Sequence, residues 1–266
     1  MIKIITGWSN QGGSTTAFVN LCNLFNENGI DCTLYGGQDW HLDKCRSGKL
    51  EDIEPIEDGD IIISHFCHAA RHPSVKKHIL SLHEKDLFPL KNLDLSQYDC
   101  VQFLNEQQRD WHLKDTEGDV DHVIIPNVYD PLKKNKKPHT SRNVAGIIGS
   151  VDKNKNTHIS IEKAIKEGNK KVMLFGKVTD FDYFKSSVEP LLNENVVLAG
   201  YIEDKQKMYD MVDTVYLSSD SECAPLVKGE CKLTGTKFRG NENTRGAADP
   251  APKEAILAKW KRCLEL

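Results

Sequence analysis

Short apolar runs alternate with amphipathic stretches along most of the 266-residue chain. Ile2 to Thr6 is apolar and β-branched, the length of a buried strand. Behind it, Phe18, Leu21, Cys22 and Phe25 recur at i, i+3, i+4 and i+7, one face of a helix that Ser14 or Thr15 can cap and Gly29 can stop. Asp31 to Tyr35 predicts a second strand. The pattern continues with strands at 60–64, 78–84, 99–104 and 122–125 and a short helix at 106–114. It starts afresh with a strand at Val144 to Ile148, then a helix capped by Thr157 with Ile161, Ala164 and Ile165 inward and Gly168 at its end. Strands at 172–175 and 196–199 alternate with helical stretches at 181–192 and around Met208, Met211 and Val212, whose methionines read as core. Thr214 to Leu217 is the last strand, and 252–266 a final helix with Ala255, Ile256, Lys259, Trp260 and Cys263 along one stripe.

Strand–helix alternation in two sets predicts an α/β protein with two Rossmann-like domains. The domains are expected at 1–131 and 142–250, with a solvated, lysine-rich linker at 132–141 and a terminal helix at 251–266. Parallel sheets bind ligands beyond the carboxyl ends of their strands, so a cleft between two such edges is the expected site.

Composition narrows the chemistry. The net charge of −4 argues against bulk nucleic-acid affinity. Eight cysteines without a C-x-x-C pair, and a first segment unlike a signal peptide, predict a reducing, cytoplasmic setting. No apolar run approaches the roughly 20 residues of a membrane span, so no integral membrane segment is expected.

Three stretches carry candidate chemistry. The loop Gly7 to Thr15 has P-loop spacing, but Gly13 stands where the phosphate-binding lysine belongs, and G-x-G-x-x-G is absent. What remains is Gly12-Gly13 at a helix start, open either to close approach by a ligand or to a plain tight turn. The segment His65 to His72 holds three histidines and Cys67, which zinc would accept, but polar residues are expected at a carboxyl sheet edge without a metal. His83 competes with His65 as the histidine facing a substrate. The richest stretch is Ser219 to Gly235, where Glu222 and Glu230 stand eight positions apart and Pro225 suits a first helical residue. Amides near Leu226 and Val227 can receive a diphosphate there, and carboxylates beside it suit sugar hydroxyls.

These residues resemble the retaining glycosyltransferases of GT-B fold, family 4 above all. The family's Glu-x7-Glu signature is met by Glu222 and Glu230, its early glycine turn by Gly12-Gly13, and its V-I-P-N-x-x-D exit by Val123 to Asp130. Gly149-Ser150 with Lys155 resembles the first loop of the family's second domain, and Val196 to Gly200 its strand before the signature. The resemblance implies transfer of a hexose from a UDP- or GDP-type sugar to an acceptor hydroxyl, with retention of configuration and neither cofactor nor metal. It implies Glu230 on the ribose, Glu222 on the donor sugar, Lys155 on the diphosphate, and Gly149, Ser150, Tyr201, Leu226 and Val227 around them. His83 or His65 would stand near the reaction centre, and the last helix would pack back toward the N-terminal domain. The acceptor is expected to be a glycan, a lipid-linked precursor or a modified DNA base; a non-catalytic nucleotide-sugar binder is the alternative. Ser150 departs from the pattern, since the family carries arginine there.

Overall fold

The computed structural model describes residues 1–7, 12–36, 44–49, 56–65, 72–84, 90–135, 143–244 and 249–266. They form two compact units: Met1–Tyr129 with Pro250–Leu266, and Asp130–Asp249.

The first unit is built on a seven-stranded, wholly parallel sheet. Its strands are β1 (Ile2–Thr6), β2 (Cys32–Tyr35), β3 (Arg46–Gly48), β4 (Ile61–His65), β5 (Lys77–Ser81), β6 (Cys100–Phe103) and β7 (His122–Ile124), in the order β3-β2-β1-β4-β5-β6-β7. Strands β1 and β4 are buried along their whole length, as sequences apolar on both faces require. The chain runs outward from β1 to β3, then returns to β4 on the other side. This reversal makes the carboxyl ends of β1 and β4 a switch point, where ligands bind doubly wound sheets.

Helix α1 (Gly13–Glu27) covers the sheet with the predicted face, Phe18, Leu21, Cys22 and Phe25, all buried. Its cap differs from expectation. Gly12 is the capping residue, and Thr15 reaches back from the first turn: Gly12 N–H donates to Thr15 Oγ1 at 2.9 Å, and Thr15 Oγ1–H to the Gly12 carbonyl at 3.1 Å. Helix α2 (Glu106–Leu113) is capped by Asn105.

The second unit has a five-stranded parallel sheet, ordered β10-β9-β8-β11-β12. The strands are β8 (Val144–Ile148), β9 (Lys171–Phe175), β10 (Val196–Leu198), β11 (Thr214–Leu217) and β12 (Lys237–Gly240). Strand β12, like β3, was not foreseen in the sequence; both are edge strands rich in polar residues or glycine. Helix α3 (Thr157–Lys166) begins behind Asn156, a left-handed residue at φ 46°, so Thr157 is its first helical residue and not its cap. Its inward residues are Ile161 and Ala164, while Ile165 is exposed. The stretch expected as one helix at 181–192 is broken into α4 (Phe181–Tyr183), a π-turn (Phe184–Val188) and a 3-10 turn (Glu189–Leu191) that Pro190 enters. Helices α5 (Lys205–Asp210) and α6 (Leu226–Thr234) complete the unit. Of the lysine-rich stretch, residues 132–135 are fastened to this unit: Lys133 N–H donates to Gln206 Oε1 at 2.8 Å and Asn135 N–H to the Thr234 carbonyl at 3.0 Å. Residues 136–141 lie outside the described residues.

Helix α7 (Lys253–Leu264) belongs to the first unit's core. Ile256, Leu257, Trp260 and Leu264 are its buried face, with Trp260 edge-on to Phe25 at 5.9 Å. Ala255 and Lys259, expected on that stripe, are exposed instead; the true stripe follows i, i+1, i+4, i+8.

Candidate functional site

In the second unit the chain winds from β8 to β9 and β10 on one side, then crosses to β11 and β12 on the other. The switch point therefore lies at the adjacent carboxyl ends of β8 and β11, which pair through Ile147 and Tyr216. Two loops leave it, 149–156 after β8 and 218–225 after β11.

The first loop turns away through Gly149, at φ 137°, whose N–H donates to the Phe175 carbonyl at 2.9 Å. The end of β9 accommodates it only because residue 176 is glycine: φ is 151°, and a Cβ there would lie 1.9 Å from the Gly149 oxygen. Asp152 then organises the loop. It accepts the Ser150 hydroxyl at one oxygen and the Lys155 N–H at the other, the latter at 2.9 Å.

The loops are stitched together. Asn156 Nδ2 donates to Asp220 Oδ1 at 2.6 Å, Asp220 N–H to the Asn154 carbonyl at 2.8 Å, and the Ser160 hydroxyl to that of Ser218 at 3.0 Å. The result brings Lys155 Nζ against Glu222 Oε1, although 67 positions separate them. The buried Ser219 hydroxyl donates to the same carboxylate oxygen at 2.8 Å. An ammonium and a carboxylate thus meet at the switch point, each partly open to solvent.

Three residues beyond Glu222, Pro225 caps α6 and Leu226 is its first helical residue, which corrects the placement of Pro225 inside the helix. The first intrahelical bond runs from Lys228 N–H to the Pro225 carbonyl at 3.0 Å. The amides of Leu226 and Val227 precede it, the position at which helices receive anions. Glu230, one turn on, is 3 % exposed. It is not a lone acid: Lys205 Nζ lies 2.7 Å from its Oε1, and Tyr209 donates its hydroxyl to Oε2 at 2.7 Å. Lys205 also reaches Asp130 Oδ2 at 2.6 Å. Burial works against its charge, but Glu230 and Asp130 outweigh it and hold the ammonium above the usual lysine pKa. Tyr201 lies 43 % exposed after β10, with Lys177 Nζ 5.6 Å over its ring.

Lys205, Asp130, Tyr209, Ser219 and Asp152 were absent from the sequence-based site. Only the position of Asp130 at the end of the V-I-P-N-x-x-D run offered a hint.

In the first unit, Gly12 has extended backbone at φ −156° and a Cβ at Gly13 would meet nothing within 4 Å. Neither glycine is therefore dictated by the fold. His65, the last residue of β4, is wholly buried, and its Nδ1–H donates to the Ser81 carbonyl at 3.2 Å. Burial pushes its pKa down to about 4, the hydrogen bond opposing, so it is neutral at physiological pH. His83, beyond β5, is half-buried; its ring lies tilted against Phe18 at 4.5 Å and edge-on to His65 at 5.4 Å. Of the two, His83 is the one with surface to offer a substrate. Burial and then His65 hold its pKa well below the usual value. A small cavity at the same edge is lined by Phe18, Ser81, His83, Gln102 and Asn127. Cys67 and His68 lie outside the described residues. Among the described residues no cluster of three or more His, Cys, Asp and Glu could hold a metal, and no helix is long and apolar enough to cross a membrane.

No protein-family model and no curated protein sequence matches the chain. Solved structures do. HepE from Anabaena, in complex with UDP and glucose, superposes with a TM-score of 0.70 at 13% identity over 99% of this chain and 88% of its own. Sucrose-phosphate synthase from Thermosynechococcus elongatus superposes with a TM-score of 0.69 at 13% identity, over 99% and 89%. A TarM variant of S. aureus, in complex with Fondaparinux, alpha-GlcNAc-glycerol and UDP, gives 0.60 at 16% identity over 79% of this chain; the match spans half of TarM's length. With its two doubly wound, parallel α/β sheets, the chain has the GT-B fold.

Proposed function

We propose that the chain is a glycosyltransferase that moves a hexose from a UDP-type sugar to an acceptor hydroxyl. The observation that carries this reading is the Lys155–Glu222 contact at the β8/β11 switch point, one short loop upstream of the α6 N-terminus. A diphosphate arriving there would draw Lys155 away from Glu222 and onto its own charge. The freed carboxylate would then accept sugar hydroxyls, and the amides of Leu226 and Val227 the distal phosphate. Such a donor has the chemistry of the UDP-glucose that HepE holds in another complex.

Glu230 is proposed for the ribose hydroxyls. Each of its oxygens already has one partner, and a carboxylate oxygen can accept a second hydrogen bond. Lys155 and the helix dipole would carry the leaving group's charge, so the reaction is proposed to run without a metal. Retention follows from front-face attack, the departing diphosphate taking the acceptor's proton; Glu222 is not assigned as a covalent nucleophile. His83 is proposed to face the acceptor side, with His65 supporting it from behind. The acceptor is proposed to be a glycan or lipid-linked hydroxyl, since the net charge of −4 disfavours DNA.

One observation favours a non-catalytic binder: Ser150, where the resembling family has arginine, is bonded to Asp152, an acid close to the proposed diphosphate. UDP release from UDP-glucose, UDP-galactose and UDP-GlcNAc, with and without EDTA, separates the readings. A transferase releases UDP slowly by hydrolysis and faster with an acceptor, unaffected by EDTA. Binding without release would leave only the binder, and loss of activity with EDTA would reject the metal-free account. The anomeric proton coupling of the product tests retention.

A further inference from the structure

Glu230 is gripped at both oxygens from a single helix. Lys205, the first residue of α5, places its Nζ 2.7 Å from Oε1, and Tyr209, four positions on, donates its hydroxyl to Oε2 at 2.7 Å. Residues at i and i+4 stand one above the other on a helix, so the two donors arrive from one face. The helix that carries them is itself fixed. Asp204 caps it by accepting the Lys207 N–H at 2.9 Å, and Met208 and Tyr209 belong to the same core as Cys231, the residue after Glu230 on α6. A carboxylate held at one oxygen can still swing about its terminal bonds. Held at both, its plane is set, and so is the direction of the lone pairs left over.

Lys205 is poorly suited to a phosphate. Its ammonium already lies between two carboxylates, 2.6 Å from Asp130 Oδ2 and 2.7 Å from Glu230 Oε1, and an anion would face both of them. Lys155 has only Glu222 to leave. The two lysines beside the two glutamates therefore differ in kind, one able to exchange its partner and the other tethered.

We propose that Lys205 and Tyr209 are positioning residues for nucleotide recognition, a clamp that preorganises Glu230 as the acceptor of the vicinal ribose hydroxyls. The inference rests on the assignment of Glu230 to the ribose. An ordered carboxylate gives up no rotamer freedom when the hydroxyls arrive, so the preference for a ribose over a sugar lacking those hydroxyls depends on the clamp. Asp130 restrains the lysine in turn.

The test is calorimetric titration of the full-length protein with UDP and with 2′,3′-dideoxy-UDP, which differ only in the two ribose hydroxyls. The readout is the ratio of the two Kd values. Wild type should favour UDP. Lys205→Met and Tyr209→Phe should each cut that preference about three- to tenfold, the cost of ordering one side chain anew, with the affinity for dideoxy-UDP unchanged. Lys205→Arg, which keeps a charged donor at the helix start, should retain most of it. Lys205→Met leaves buried Glu230 without its cation and weakens the fold, so Tyr209→Phe, which loses a single hydroxyl, carries the test independently. Equal weakening of both nucleotides in Lys205→Met would mean that the lysine serves the fold alone, and would overturn the proposal. An unchanged ratio in Tyr209→Phe would do the same. A wild-type protein that binds the two nucleotides alike would instead refute the ribose assignment of Glu230, and the clamp's role with it.

Discussion

Lys205 and the buried Glu230 form a partly buried ion pair with a 2.7 Å contact, in which the lysine is shared with Asp130 and the glutamate with Tyr209. Removing one partner strands the other charge in the interior, a larger effect than the pair itself contributes. Lys205→Ala is accordingly expected to destabilise the protein by about 3 kcal/mol, and Lys205→Arg by much less. Urea unfolding measures both, and equal effects would contradict the charge argument.

Glu230→Gln keeps one oxygen as an acceptor for Lys205 and places an amide N–H against the Tyr209 hydroxyl, which can accept it, while removing the charge offered to ribose hydroxyls. UDP binding should weaken by about 1–3 kcal/mol in calorimetry. An unchanged affinity would remove Glu230 from the nucleotide site.

Lys155 and Glu222 touch each other yet are assigned to different parts of the donor. Lys155→Ala should weaken UDP itself, whereas Glu222→Gln should spare UDP and lower turnover with UDP-sugar. Each change is expected to be roughly tenfold or more, as for charge-assisted hydrogen bonds. If both variants lose UDP affinity equally, the division of roles fails.

Gly176 can be replaced only by moving the Gly149 carbonyl, since a Cβ would overlap it at 1.9 Å and φ is 151°. Gly176→Ala should cost at least about 2 kcal/mol and also disturb the loop that carries Lys155. Gly13→Ala, with open space around its Cβ, should leave stability within about 0.5 kcal/mol. A loss of donor or acceptor affinity in that variant would show that the glycine serves close approach and not the fold.

His65 links stability to pH. Its pKa falls from 6.5 unfolded to about 4 folded, so the unfolded chain binds the extra proton between those values. The stabilisation is complete above pH 6.5 and is lost as pH falls toward 4, up to about 3 kcal/mol for a shift of this size. Denaturant titrations from pH 7.5 to 4.5 should show that decline, with a shallower slope in His65→Phe.

The order of strands and helices was legible in the chain because buried parallel strands must be apolar on both faces and their covering helices on one. Ile61 to Ser64 and Thr214 to Leu217 could hardly be anything else, and the α1 face read from Phe18 to Phe25 is the face that is buried. The edge strands β3 and β12 escaped notice because an edge needs no apolar run, only a neighbour's free backbone groups, as Lys237 to Gly240 finds along β11. The Glu-x7-Glu spacing likewise marked Glu222 and Glu230 as candidates. Their partners are a product of tertiary structure. Lys155 meets Glu222 across 67 positions, and Lys205 is folded between Asp130 and Glu230 from 75 and 25 positions away. Local periodicity records which side of an element faces the core; it carries no information on which distant charges the folded chain brings together. That was decided by the winding of the second sheet, which sets the ends of β8 and β11 side by side.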